Sequence, residues 1–236
     1  MLALVAIVFT GAFAQSALGF GFALLAMPLL SLLMPISSAA SFVAVTGLVI
    51  SAQMLAQDWR NSNFKAARSL LIGACIGVPL GLYALSLAPS AIAVRVLGTF
   101  IIAMSAYLLL QPGVFQLAHH RWKYLFGFIA GLFGGAYNIS GPVIVLYGAT
   151  QKWHPSEFRQ TLQAFFLPTN MAVIASHAVA GHYEHSVLVL LAYGIPSAII
   201  AVILGRQVNK RINQEQFTPL VYIICMALGA LLIFEG

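Results

Sequence analysis

Eight long apolar stretches occupy most of this chain, and that pattern dictates what it can become. They run Leu2 to Met34, Ile36 to Gln57, Ala66 to Ala88, Ala91 to Leu110, Trp122 to Thr150, Phe158 to Ala180, Ser186 to Gly205 and Phe217 to Phe234. A helix that crosses a bilayer needs about 20 apolar residues, so 236 residues are used up by these stretches. The expectation is one all-α integral membrane domain over residues 1–236. Only 7% of the residues are charged, against about 25% in soluble domains. A soluble enzyme, a disordered chain and a nucleic-acid binder are excluded. The formal net charge of +6 rests on 11 Lys plus Arg against 5 Asp plus Glu. These charges sit in short polar gaps, so the excess reads as membrane orientation.

Six stretches have the length of ordinary spans; the first and fifth run to about 30 residues, too long for one straight crossing. Each is interrupted by glycine: Gly19-Phe20-Gly21 in the first, and Gly131, Gly134 and Gly135 followed by Asn138-Ile139-Ser140-Gly141-Pro142 in the fifth. Glycine permits turns and proline removes a backbone donor. Such a segment is one kinked helix or two half-helices with a break between them. The basic residues favour the break. The gaps hold, in order, none, three (Arg60, Lys65, Arg68), one (Arg95), two (Arg121, Lys123), two (Lys152, Arg159), none and three (Arg206, Lys210, Arg211). If every stretch crosses once, the two sides carry 5 and 6; if the first and fifth enter and return to the same side, they carry 10 and 1. The positive-inside rule favours the second topology, with both termini on the periplasmic side.

That topology predicts two inverted repeats, about 1–111 and 122–236, each a re-entrant helix pair followed by three spans. Aligning Pro28 with Pro142 also aligns Gly21 with Gly135 and Leu18 with Leu132, and Gly77-Val78-Pro79 matches Gly194-Ile195-Pro196. Interrupted segments at corresponding positions of inverted halves point to a secondary transporter. Met1 to Gly19 has no basic residue before its apolar run and is read as part of the membrane domain, not a signal peptide. Cys75 and Cys225 form no metal or redox motif.

The same residues resemble a known family. Gln15-Ser16-Ala17-Leu18-Gly19-Phe20-Gly21-Phe22 with Met27-Pro28, and Gly131-Leu132-Phe133-Gly134-Gly135 with Ser140-Gly141-Pro142 and Tyr147, are similar to the sulfite exporter TauE/SafE permeases over nearly the whole chain. The resemblance implies movement of sulfite, organosulfonates or related small anions across the bacterial inner membrane. Phe20 between two glycines departs from a fully glycine-rich run.

The chemistry follows from the residues as well. A helix N-terminus carries free N–H groups and about half a positive charge, so it binds an oxyanion without a buried lysine. Breaks at Gly19 to Gly21 and at Gly134 to Asn138 would bring two such ends near the midplane. The expected substrate-binding set is Gln15, Ser16, Gly19, Gly21, Gly134, Gly135, Tyr137, Asn138, Ser140 and Gly141, with Asn170 as the best polar residue outside the broken segments. Thr161, Gln163, Pro168 and Thr169 share its helix; Thr46, Ser51 and Gln53 lie in the counterpart stretch. The competing role for small residues is close helix packing, and for the amides an interhelical hydrogen bond. No acidic residue lies deep in any stretch, which disfavours coupling through a buried carboxylate. His177 reads best as an interfacial histidine, His182 and His185 lack further metal ligands, and Trp59, Trp122 and Trp153 fit interfacial anchors. No metal or cofactor is expected; the partners are a small anion and the lipid bilayer, and a homo-oligomer is compatible.

Three rivals remain: an intramembrane serine protease using Ser140 and His177, a channel, and a membrane scaffold. The protease lacks a glycine two residues before Ser140, and the channel lacks a ring of charges. An inside-negative potential of 100 mV drives a monovalent anion outward by about 2.3 kcal/mol, so export is the expected direction.

Overall fold

The computed structural model describes residues 1–110, 121–151, 153–209 and 214–235; His119, His120, Lys152, Lys210 and Arg211 lie outside them. The described residues form ten α-helices and one 3-10 turn, Trp59–Asn61, and include no strand. The helices are α1 (Leu2–Leu18), α2 (Phe22–Ser31), α3 (Ile36–Asp58), α4 (Phe64–Leu87), α5 (Ser90–Leu110), α6 (Trp122–Tyr137), α7 (Gly141–Thr150), α8 (Pro155–Val179), α9 (His185–Asn209) and α10 (Gln214–Glu235). Six of them, α3, α4, α5, α8, α9 and α10, are long and apolar enough to cross a membrane.

The two overlong stretches break where glycine and asparagine allow it. α1 ends at Gly19, whose φ is 93°, and α2 starts after Gly21, φ 121°. Both values lie in the left-handed region that L side chains avoid. α6 ends at Asn138, the one described non-glycine residue with positive φ, 55°; asparagine is among the few residues that accept this conformation. After the first break the chain doubles back, so that Phe22 lies against Gly11, well before the end of α1. After the second, Ser140 lies against Gly134. α2 and α7 are each ten residues long, about 15 Å at 1.5 Å per residue, half of a 30 Å hydrocarbon core.

The two five-helix sets pack in a reciprocal pattern. α1 lies on α9 and α6 on α4; α2 meets α10 and α7 meets α5; α3 faces α8, and α5 faces α10. The α4–α6 seam is the tightest. Gly73, Gly77 and Gly81 recur every four residues on α4, as do Gly127, Gly131 and Gly135 on α6. Each side lays its glycines on the other's backbone: Gly73, Gly77 and Gly81 face the carbonyls of Tyr124, Phe128 and Leu132, while Gly127 and Gly135 face those of Leu70 and Val78. Small residues at this spacing let two helix backbones meet where lipid supplies no hydrophobic drive. The α1–α9 seam adds hydroxyl bonds: Ser16 Oγ donates to Val202 O at 2.8 Å and Ser197 Oγ to Val5 O at 3.0 Å.

Pairing the helices by order gives a register different from the sequence reading. Phe22 opens α2 and Gly141 opens α7, so position 22 matches 141, and Gly21 falls opposite Ser140, not Gly135. Pro28 lies inside α2 whereas Pro142 sits in the first turn of α7, and a proline is tolerated there for a different reason. Gly77 meets the α6 backbone and Gly194 the ring of Phe42, so those two Gly-x-Pro runs occupy unlike environments as well.

The outer faces of α4, α5, α9 and α10 expose Ile72, Ile76, Leu80, Ile92, Ile200, Ile203, Ile223 and other large apolar side chains, as a lipid-facing surface does. Glycine at position 19 is also a packing requirement: a Cβ there would stand 2.7 Å from Arg159 Cγ. Gly19→Ala therefore combines left-handed strain with a clash, and it is expected to cost about 2–4 kcal/mol of stability, read as a lowered unfolding temperature in detergent.

Candidate functional site

The two breaks meet. A small cavity of about 30 Å³ is lined by Gln15 on α1, Gly21 to Leu24 at the start of α2, Gly47 and Ser51 on α3, Asn138 to Pro142 at the α6–α7 break, and Phe166 and Asn170 on α8. Both short helices thus present their N-termini to it. The first N–H groups bonded within each helix are those of Leu25, to Gly21 O, and Ile144, to Ser140 O. The N–H groups of Ala23, Leu24, Gly141 and Val143 precede them and have no intrahelical acceptor. That of Phe22 is taken by Gln15 Oε1 at 3.3 Å. Two partial positive ends focused on one cavity make an anion-binding field without a basic side chain.

Side-chain donors complete the wall. A Cβ at Gly47 would lie 3.3 Å from Asn170 Nδ2 and 3.6 Å from Asn138 Nδ2, so this glycine is what gives both amides room. Asn138 is 8% exposed and Asn170 7%. Among the described residues neither amide has a protein hydrogen-bond partner, and Ser51 Oγ is buried without one. Amide donors left open toward a cavity can bond a ligand there, and an oxyanion is the chemistry they suit.

Of the residues expected from the sequence, the structure brings six to this cavity: Gln15, Gly21, Asn138, Ser140, Gly141 and Asn170. The other five lie elsewhere. Ser16 bonds α9. Gly19 lies under Arg159, and its carbonyl accepts from Gln163 Nε2 at 2.6 Å. Gly134 packs against Ser140 and Thr169, and Gly135 against the backbone of Val78. Tyr137 lines a separate cavity of about 210 Å³ with Leu85 and Phe133. The further polar candidates divide too: Ser51 lines the cavity, Gln53 donates to Ile199 O, and Thr169 Oγ1 to Phe165 O. Gly47, Phe22 and Phe166 were not read from the sequence. A glycine in mid-helix and two phenylalanines in an apolar stretch carry no local signal of a site.

His177 is remote from this wall. Its Nδ1 lies 2.8 Å from Nδ1 of His182, and no described hydrogen bond links it to Ser140, which leaves no Ser–His pair in place. Among the described residues no group of three His, Cys, Asp or Glu side chains could hold a metal. A larger groove of about 600 Å³ between α4 and α8 is lined by Tyr83, Val179 and His182, and the exposure of Tyr83 and Val179 opens it to the lipid side.

Comparison with known proteins gives the same direction. The chain is 25% identical over 242 residues to the "Probable sulfite/organosulfonate exporter TauE" of Cupriavidus necator, an alignment covering 100% of this chain and 94% of that protein. No solved structure matches the chain. A family model described as "Sulfite exporter TauE/SafE" matches residues 3–232, and the chain accordingly belongs to the sulfite exporter TauE/SafE family, multi-pass membrane transporters and not enzymes.

Proposed function

We propose that this protein is a secondary transporter that exports sulfite, an organosulfonate or a related small anion across the bacterial inner membrane, with the anion bound in the central cavity. The observation that carries the reading is the convergence of two helix N-termini with the unpartnered amides of Asn138 and Asn170 on one buried space. A space of about 30 Å³ is room for one or two waters. This closed arrangement must therefore open to admit even a compact oxyanion, and further for a longer sulfonate.

We read the two helix sets as inverted repeats that rock about the site. Each set is a short re-entrant pair followed by three spans, and an odd number of crossings reverses the second set. The reciprocal packing of α1 on α9 and α6 on α4 supports this. So does the cavity wall, where Gly47 and Ser51 of α3 occupy the places that Phe166 and Asn170 hold on α8, both pairs 119 residues apart. The basic loops favour both termini outside, and in that topology an inside-negative potential drives the anion out. A scaffold would have no use for partnerless amides at the centre of its membrane domain.

Gly47→Val provides the test. Its branched side chain grows into the space between the two amides. In proteoliposomes, saturable sulfite flux by the wild type and a loss of at least about tenfold in the variant are expected, since one lost buried polar contact of about 1.4 kcal/mol already gives tenfold. Undiminished flux from folded Gly47→Val protein would remove the cavity from the transport path.

A further inference from the structure

The cavity is shut by different means on its two sides. α8 lines it with Phe166 and Asn170. Seven residues earlier, about 10 Å nearer the start of α8 at 1.5 Å per residue, Arg159 lies across the α1–α2 tip. Its side chain covers Gly19, and Nη2 donates to Ser16 O at 2.8 Å. One turn on, Gln163 Nε2 donates to Gly19 O at 2.6 Å, and its Oε1 accepts from Gln15 Nε2 at 3.2 Å. Gln15 in turn accepts from the Phe22 N–H at the cavity. The carbonyls left open at the end of α1 are thus held by side chains of α8, and the chain of bonds ends on the wall of the site.

The other side has no such clamp on a helix tip; its polar contacts are weaker ones between α3 and the α8–α9 turn, Ser41 Oγ donating to His182 O at 3.3 Å and Tyr183 OH to Ser41 O at 3.4 Å. The positions on α3 that match Arg159 and Gln163, by the spacing that pairs Ser51 with Asn170, are Ala40 and Ala44, both buried. Ala44 also packs with Val78 and Val173 in a small apolar cluster, with Ile174 against it. Apolar contact separates at little polar cost, whereas parting α8 from the α1–α2 tip breaks the hydrogen bonds to Ser16 O and Gly19 O and the one between Gln15 and Gln163.

We propose that Arg159, acting with Gln163, is a gate latch: it holds the α1–α2 tip against α8, closes the cavity toward the membrane face where α8 begins, and releases in each transport cycle. Arg159 is a positioning residue here, not an anion contact, and the proposal rests on the cavity being the transport site. In the topology proposed above, the latched face is cytoplasmic.

The test uses full-length protein with Cys75→Ser and a reporter Ser51→Cys in the cavity wall, in sealed vesicles of each orientation, with a membrane-impermeant thiol reagent. Ala23→Cys serves as a second reporter on α2. Arg159→Ala is expected to speed labelling about tenfold from the face where α8 begins and to leave the rate from the other face unchanged. Arg159→Lys, which keeps charge and bulk but loses the fork, is expected to fall between. Equal acceleration from both faces, acceleration from the far face only, or no change would overturn the latch. Sulfite flux by the wild type in the same vesicles separates the two claims. Flux without a one-sided labelling change sinks the latch alone, and one-sided labelling without any anion flux sinks the transport reading and with it the latch's place in a transport cycle.

Discussion

Replacing Gly77 by leucine is expected to leave no folded protein to assay. The α4 and α6 backbones touch along six glycines, and the Cβ of any residue at 77 would meet the carbonyl of Phe128. Neither partner is a flexible side-chain end that can swing aside. Parting two backbones along a whole seam exceeds the usual overpacking cost of about 1–3 kcal/mol, because the neighbouring glycine contacts open with it. The measurement is the yield of monodisperse protein in detergent, followed by thermal unfolding. Gly135→Ala tests the same seam from α6 with a single methyl. Its Cβ would meet the Val78 carbonyl as closely, so a loss above the usual overpacking cost of about 1–3 kcal/mol is expected, with sulfite flux retained per folded molecule. A stable but inactive Gly135→Ala protein would show that this glycine belongs to the anion path after all.

The second large effect concerns Asn138, and here the choice of variant matters. Asn138→Ala removes the amide but also places alanine at a φ of 55°, at an added cost of about 1–2 kcal/mol. Asn138→Gly removes the same amide while suiting that backbone. Flux is expected to fall at least about tenfold in both, while the unfolding temperature falls only in the alanine variant. If glycine restored transport, the role of Asn138 would be to form the turn, and the anion would be held by the helix ends without it.

How much of this was legible depends on the length scale of each signal. The first break was readable because Gly19 and Gly21 are local conformational markers, and the six long spans because hydropathy sums over about 20 residues; the second break was expected from Gly134 onward, but α6 carries Gly134 and Gly135 within the helix and breaks only at Asn138. The cavity wall was half readable: Asn138, Ser140 and Asn170 stand out as polar groups in apolar sequence. Gly135 and Ser16 look the same as Gly21 and Gln15 in sequence, yet the first pair sits in helix seams and the second at the site. Which face of a helix meets a neighbour decides that, and the chain order does not reveal it. Gly47 shows the converse, since its importance lies in two amides more than 90 residues away. Pairing the helices by order shifts the register by five residues from the proline alignment, because Pro28 and Pro142 stand at different depths in α2 and α7.

The latch was invisible for a related reason. Arg159 counts in sequence as one more basic residue near a helix start, and only the fold lays it across Gly19.

The most direct test of the central claim is sulfite flux from proteoliposomes under an imposed potential, wild type beside Asn138→Gly. Saturable flux is expected that speeds when the sulfite-loaded side is made negative, and that the variant loses while keeping its unfolding temperature. Folded wild-type protein that moves neither sulfite nor any other small anion would contradict it.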